Sequence, residues 1–149
     1  MSSYPQVPRG VVGYLLAVLS SMASAADLAP SELASLTQLG DGNIGLLQQS
    51  GSVHFISALQ SGSLQRLSVQ QSGELNTAIL AQTGMLNTIS LIQHGVLNSA
   101  SITQSGTQIS ATVLQSGWGN HADLRQYKNF SAAAIRQEGN QGRAMLVQY

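Results

Sequence analysis

The sequence predicts an all-β chain, a two-sheet cross-β solenoid of five strand-turn-strand coils of about 22 residues each. Three observations predict it. Gln38, Gln49, Gln60, Gln71, Gln82, Gln93, Gln104, Gln115, Gln126, Gln137 and Gln148 form one series with a constant step of eleven, unbroken by insertion or deletion. Loops of ordinary domains vary freely in length, so a fixed step means that each unit stacks on the next. Within the units apolar residues recur at every second position, as in Asn76-Thr77-Ala78-Ile79-Leu80-Ala81-Gln82, which is the period of a strand. An eleven-residue period also suits a right-handed helical supercoil, but nearly every unit carries a Gly, which costs about 1 kcal/mol per helix position relative to Ala.

Taken in order, residues 1–25 read as an export signal. Arg9 supplies the positive start, residues 11–19 the short apolar stretch, and Ala23-Ser24-Ala25 the small-residue cleavage site. The stretch is too short to span a bilayer and the eleven-residue grammar is absent from it, so Ala26 is expected to begin the mature chain. In the N-terminal segment, residues 26–37, Ala34 and Leu36 already fall on apolar columns of the repeat, which suits a partial strand better than a cap.

Residues 38–149 carry the repeat. Two residues after each Gln stands Gly: Gly40, Gly51, Gly62, Gly73, Gly84, Gly95, Gly106, Gly117 and Gly139, with Lys128 the one exception. Five residues after Gln, Asn is the favourite (Asn43, Asn76, Asn87, Asn98, Asn120), with His54, Gln65, Ile109, Ser131 and Gly142 in the other slots. The seventh position is small or branched apolar and the ninth wholly apolar, from Leu47 and Ala58 through Leu91 to Leu146. Each unit is therefore expected to be a seven-residue strand and a four-residue turn such as Ser72-Gly73-Glu74-Leu75, with Gly supplying the positive φ or close approach that a turn requires.

Positions five, seven, nine and eleven share one face, expected to be the interior. Stacking coils about 4.8 Å apart sets each strand beside the strand 22 residues later. A buried amide costs a few kcal/mol when unpaired, but stacked on an identical amide it donates to one coil and accepts from the other. The expected amide ladder and fibre core comprises the eleven Gln residues together with Asn43, Asn76, Asn87, Asn98 and Asn120. The last strand, residues 142–148, follows the pattern nearly to the terminus, and such open ends predict growth by addition of further chains.

Composition narrows the function. The chain has no Cys, 8% charged residues and zero net charge, so it lacks the basic stripe of a nucleic-acid binder. His54, His94 and His121 fall at different phases of the repeat, which argues against a shared metal site, and no Ser/His/Asp grouping stands out. No catalytic, cofactor or metal residue is expected. A solenoid that binds ice or polysaccharide through a flat face needs one residue type repeated along an outward row. The outward row Ile44, Phe55, Arg66, Thr77, Thr88, Ser99, Ser110, His121, Ala132, Arg143 varies instead.

The pattern Gln-x-Gly-x-x-Asn-x-Ala-x-x-x-Gln, followed letter for letter from Gln115 through Gly117, Asn120 and Ala122 to Gln126, resembles the curlin family. Gln71 to Gln82 and Gln93 to Gln104 follow it almost as closely, and the resemblance covers residues 38–149 plus the signal. It implies an extracellular amyloid subunit of adhesive biofilm fibres, exported through the periplasm. The implied partners are further copies of itself, the major curlin subunit, the curli outer-membrane secretion pore and accessory assembly factors. Within the family the chain looks like the minor, cell-associated nucleating subunit. Its mature start, Ala26-Asp27-Leu28-Ala29-Pro30-Ser31-Glu32-Leu33, resembles that subunit's start, and its last units depart from consensus at Lys128, Ser131 and Gly142. Charge gathers there too, and the resemblance implies surface attachment through Arg125, Lys128, Arg136 and Arg143. The closing Gln148-Tyr149 resembles the major subunit instead, so a major fibre subunit is the alternative.

Overall fold

The structure, a computed structural model, describes residues 14–19 and 32–149. Arg9 and the expected cleavage site Ala23-Ser24-Ala25 lie outside the described residues. Eleven strands follow the repeat: β2 (Glu32–Leu39), β3 (Ile44–Ser52), β4 (His54–Ser63), β5 (Arg66–Glu74), β6 (Thr77–Met85), β7 (Thr88–Val96), β8 (Ser99–Thr107), β9 (Ser110–Trp118), β10 (His121–Gln126), β11 (Ala132–Asn140) and β12 (Arg143–Gln148). A further strand, β1 (Tyr14–Leu19), lies beside β3 with Tyr14 opposite Ile44, off the step of the repeat.

Odd and even strands separate into two sheets, ordered β1-β3-β5-β7-β9-β11 and β2-β4-β6-β8-β10-β12, and every pairing is parallel. Register follows the doubled period: Gln71 lies opposite Gln93 and Gln93 opposite Gln115. The chain is thus a two-sheet β-solenoid with coils of about 22 residues. The pairing begins at Glu32, opposite His54, so β2 lies mostly within the N-terminal segment, residues 26–37.

The turns differ from expectation. Strands β5, β6 and β7 run on through the Gly position, leaving two-residue corners such as Leu75-Asn76 in place of a four-residue turn from Ser72. Corner position four after Gln is left-handed in every unit that keeps the pattern, at φ 56° in Leu75 and 58° in Leu86 and Leu97. A leucine there costs roughly 1–2 kcal/mol. It is held because its N–H continues the stack: Leu75 N donates to Ser52 O at 3.0 Å and Leu97 N to Glu74 O at 3.0 Å.

Alternation puts one face of each sheet inside. Leu47, Val69, Leu91 and Val113 from one sheet meet Ala58, Leu80, Ile102 and Leu124 from the other in a single apolar layer. Fully burying a leucine such as Leu91 contributes about 2–3 kcal/mol, and the layer repeats that gain coil after coil.

Candidate functional site: the stacked amide columns

Two Gln columns run the length of the solenoid, one per sheet. In the first, Gln49 Nε2 donates to Gln71 Oε1 at 3.1 Å, Gln71 to Gln93 at 2.7 Å, Gln93 to Gln115 at 2.8 Å and Gln115 to Gln137 at 2.8 Å. In the second, Gln38 donates to Gln60 at 2.7 Å, Gln60 to Gln82 at 2.9 Å, Gln82 to Gln104 at 2.9 Å, Gln104 to Gln126 at 3.1 Å and Gln126 to Gln148 at 2.9 Å. All these bonds point the same way, toward the higher residue number. The inner members, from Gln60 to Gln126, are wholly or almost wholly buried.

The second amide hydrogen does something the sequence did not announce. It crosses to the other sheet and meets the carbonyl at the start of the preceding strand, as Gln93 Nε2 to Thr77 O at 3.0 Å and Gln115 Nε2 to Ser99 O at 3.0 Å. Gln104, Gln126 and Gln137 repeat it on Thr88, Ser110 and His121. Each Gln is therefore a bond along the axis and a tie between sheets.

The Asn column works differently from amide stacked on amide. Asn76 Nδ2 donates to two backbone carbonyls, Ser72 O in its own coil at 3.0 Å and Gly95 O in the next at 2.9 Å, while its Oδ1 accepts from Asn98 N at 3.0 Å. Asn43, Asn87, Asn98 and Asn120 make the same three-way clip. Only Asn120 adds an amide-to-amide bond, to Asn98 Oδ1 at 3.1 Å. At the corner the nearest acceptors to an amide are main-chain carbonyls of its own coil and the next. Gln65 keeps the two donor bonds, to Ser61 O and Gly84 O, but its Oε1 is buried without a partner. His54 keeps one, Nε2 to Ser50 O at 3.1 Å, with a long contact from Asn76 N to Nδ1 at 3.4 Å.

The glycine column is a contact between backbones. At Gly84 a Cβ would run into the carbonyl oxygen of Gly106 in the next coil, and φ is +112°. Gly40, Gly51, Gly62, Gly73, Gly95 and Gly117 face the next glycine in the same way, whereas nothing stands over Gly139. Where Lys128 replaces Gly, β10 stops at Gln126, and Gly106 faces the side chain of Asn129, whose Oδ1 accepts from Thr107 N at 2.8 Å.

The four basic residues of the last coils do not form one patch. Arg125 lies on the outer face of its sheet and is paired with Asp123 at 2.9 Å, and Arg136 lies on the opposite sheet, paired with Glu138. Lys128 sits at the corner after β10, its carbonyl accepting from Ser131 Oγ at 2.6 Å. Arg143, on β12, has no acidic partner among the described residues. Tyr127 and Tyr149 stack with ring centroids 5.6 Å apart. Among the described residues no group of three or more His, Asp or Glu could hold a metal.

Inward columns of identical amides, shared by parallel coils in exact register, define a self-stacking structural repeat protein. Residues 66–95 and 98–127 each match the curlin associated repeat. The two matches fall on consecutive coils of the solenoid, the first over β5 to β7 and the second over β8 to β10. Nothing matches the chain among curated proteins or among solved structures.

Proposed function

We propose that the chain is the minor, nucleating subunit of a curli fibre, exported through the periplasm behind a cleaved signal at residues 1–25 and retained at the cell surface. It crosses the outer membrane unfolded and folds outside, where a coil edge templates the major subunit by parallel strand addition and continuation of the amide columns. Templating removes the costly first step, because closing a coil loses loop entropy before stacking returns anything.

The observation that carries this reading is the change of character along the stack. Coils up to β9 repeat Gln and Gly with little charge, whereas in the last coils Lys128 breaks the glycine contact of one sheet, Ser131 and Gly142 stand in the Asn column, and the ion pairs Arg125–Asp123 and Arg136–Glu138 appear. A regular end suits templating and an irregular, charged end suits attachment, with Arg125, Lys128, Arg136 and Arg143 as the attaching residues.

Adding purified mature chain to the major subunit at low molar ratio tests this. The expected result is a shortened lag with little of the chain in the fibre mass. Equal incorporation without shortening would identify a major fibre subunit instead. Deleting residues 129–149 should release nucleating activity into the medium; fibres that stay attached and normal would remove the anchoring role.

A further inference from the structure

One corner of the solenoid is notched. The left-handed corner position of this edge is filled by Val53, Leu75 and Leu97 and then, one coil on, by Gly119, before Gln141 closes the row. At this place lies an open surface depression of about 490 Å³ lined by Leu97, Trp118, Gly119, Gln141 and Arg143. A Cβ at Gly119 would meet only Gln141 Cγ, at 3.6 Å. Backbone geometry does not demand glycine here, since leucine holds φ 58° at Leu97 and Gly119 stands at φ 66°. The glycine instead leaves room beside Trp118, the chain's one tryptophan, which is 43% exposed.

We infer that this notch is a binding subsite for one acidic sugar residue of a polysaccharide. The volume lies in the range of small-ligand sites. Its chemistry is divided as a pyranose is divided. Trp118 and Leu97 offer an apolar wall for the C–H face of a sugar ring, and the Gln141 amide offers donors and an acceptor for hydroxyls. Arg143 offers a planar guanidinium suited to a carboxylate. Arg125 and Arg136 spend their charge on Asp123 and Glu138, whereas Arg143 has no acidic partner among the described residues. A neutral sugar would use the wall and the amide and leave this cation unmatched. The inference does not depend on the nucleating role, because the notch belongs to the coil geometry alone.

Fibres assembled from the full mature chain are the material for the test, with fluorescent oligoglucuronate as probe and oligoglucose of equal length as its neutral counterpart. Wild-type fibres should bind oligoglucuronate more tightly than oligoglucose. Gly119→Leu, which continues the leucine row and closes the notch, should weaken oligoglucuronate binding about tenfold or more, as expected for loss of one anchoring contact. Arg143→Gln, at an exposed position without an ion-pair partner, should lower it to the oligoglucose level. Seeding lag and the β circular-dichroism signal, followed for both variants, separate loss of the notch from loss of the coil. Unchanged binding in either correctly folded variant would overturn the assignment, as would equal binding of the two oligomers. Capture of phosphatidylglycerol vesicles, lost in both variants, with no binding of oligoglucuronate would overturn it in favour of a lipid phosphate.

Discussion

Gln70 and Gln71 are neighbours in β5 with opposite fates, and they make a matched experiment. Gln71 is fully buried; it donates to Gln93 Oε1 at 2.7 Å and Phe55 O at 3.4 Å and accepts from Gln49 Nε2 at 3.1 Å. Gln70 lies on the exposed outer face of the same strand. Gln71→Ala strands Gln93 Oε1 without a donor and takes an acceptor from Gln49. At about 1–3 kcal/mol per buried group deprived of its partner, the loss is about 4 kcal/mol. Releasing the frozen side chain returns about 1 kcal/mol or somewhat more, for a net cost of about 3 kcal/mol, or roughly a hundredfold in an equilibrium constant. Gln70→Ala should stay within about 0.5 kcal/mol, as surface substitutions do. The assay is the concentration of free chain in equilibrium with assembled material, read after sedimentation. It should rise roughly a hundredfold for Gln71→Ala and no more than about two- to threefold for Gln70→Ala. Equal values for the two variants would refute the inward amide column as a source of stability.

Gln65→Asn should raise the denaturant midpoint of the assembled chain by the equivalent of about 1–2 kcal/mol, because it replaces a buried, unpartnered Oε1 with the Oδ1 that accepts main-chain N–H elsewhere in the column. His54→Asn should also stabilise, by about 1 kcal/mol, by converting one bond and one long contact into the full clip; guanidinium titration checks both. Gly84→Ala should abolish cross-β assembly by circular dichroism and fibre diffraction, since its Cβ collides with Gly106 O. In the isolated chain Gly139→Ala meets no atom within 4 Å and should cost only the positive-φ strain, about 1–2 kcal/mol.

The eleven-residue step carried the coil length, the two sheets and the parallel register, because a period without insertions admits few ways to stack. Of the candidate site, the sequence marked which positions recur but not what each amide bonds to. Asn and Gln carry the same group, and their place in the coil decides its partners: at the corner Asn76, and Gln65 too, donates to main-chain carbonyls, while Gln93 at the strand's end reaches Gln115. Periodicity is blind to that distinction. The left-handed corner was hidden for another reason. Leucine is an unfavourable residue at positive φ, so the column Leu64, Leu75, Leu86 and Leu97 does not mark a left-handed corner by residue type. The signal was present in the same column, where Gly42 and Gly119 stand in place of leucine. The corner's true length was missed for the same reason: Gly drew attention to position two, whereas the chain reverses at positions four and five.

Attraction and exclusion are divided between the two most regular columns. The Gln bonds all run in one direction, so the stack is polar, and a coil added beyond β11 and β12, whether from this chain or another, must present its amide oxygens to Gln137 and Gln148. Such a head-to-tail contact does not close on itself and generates an open filament. Amides alone would tolerate slippage, because Gln70 stands next to Gln71 and Gln48 next to Gln49. The glycine column forbids it. A shift of one residue would bring a side-chain-bearing residue to the place where Gly84 lies against Gly106, and would also turn every apolar residue to the outer face. Register is thus held by a steric condition met at one position in eleven, and the amides supply the energy only once that condition holds. Lys128 removes the condition on the β10 side, and the shortening of β10 to His121–Gln126 is its visible result. The coils past that point keep their Gln bonds but lack the steric condition in one of the two sheets, and under the proposed nucleating role this loss favours templating on the regular coils and attachment on the last ones.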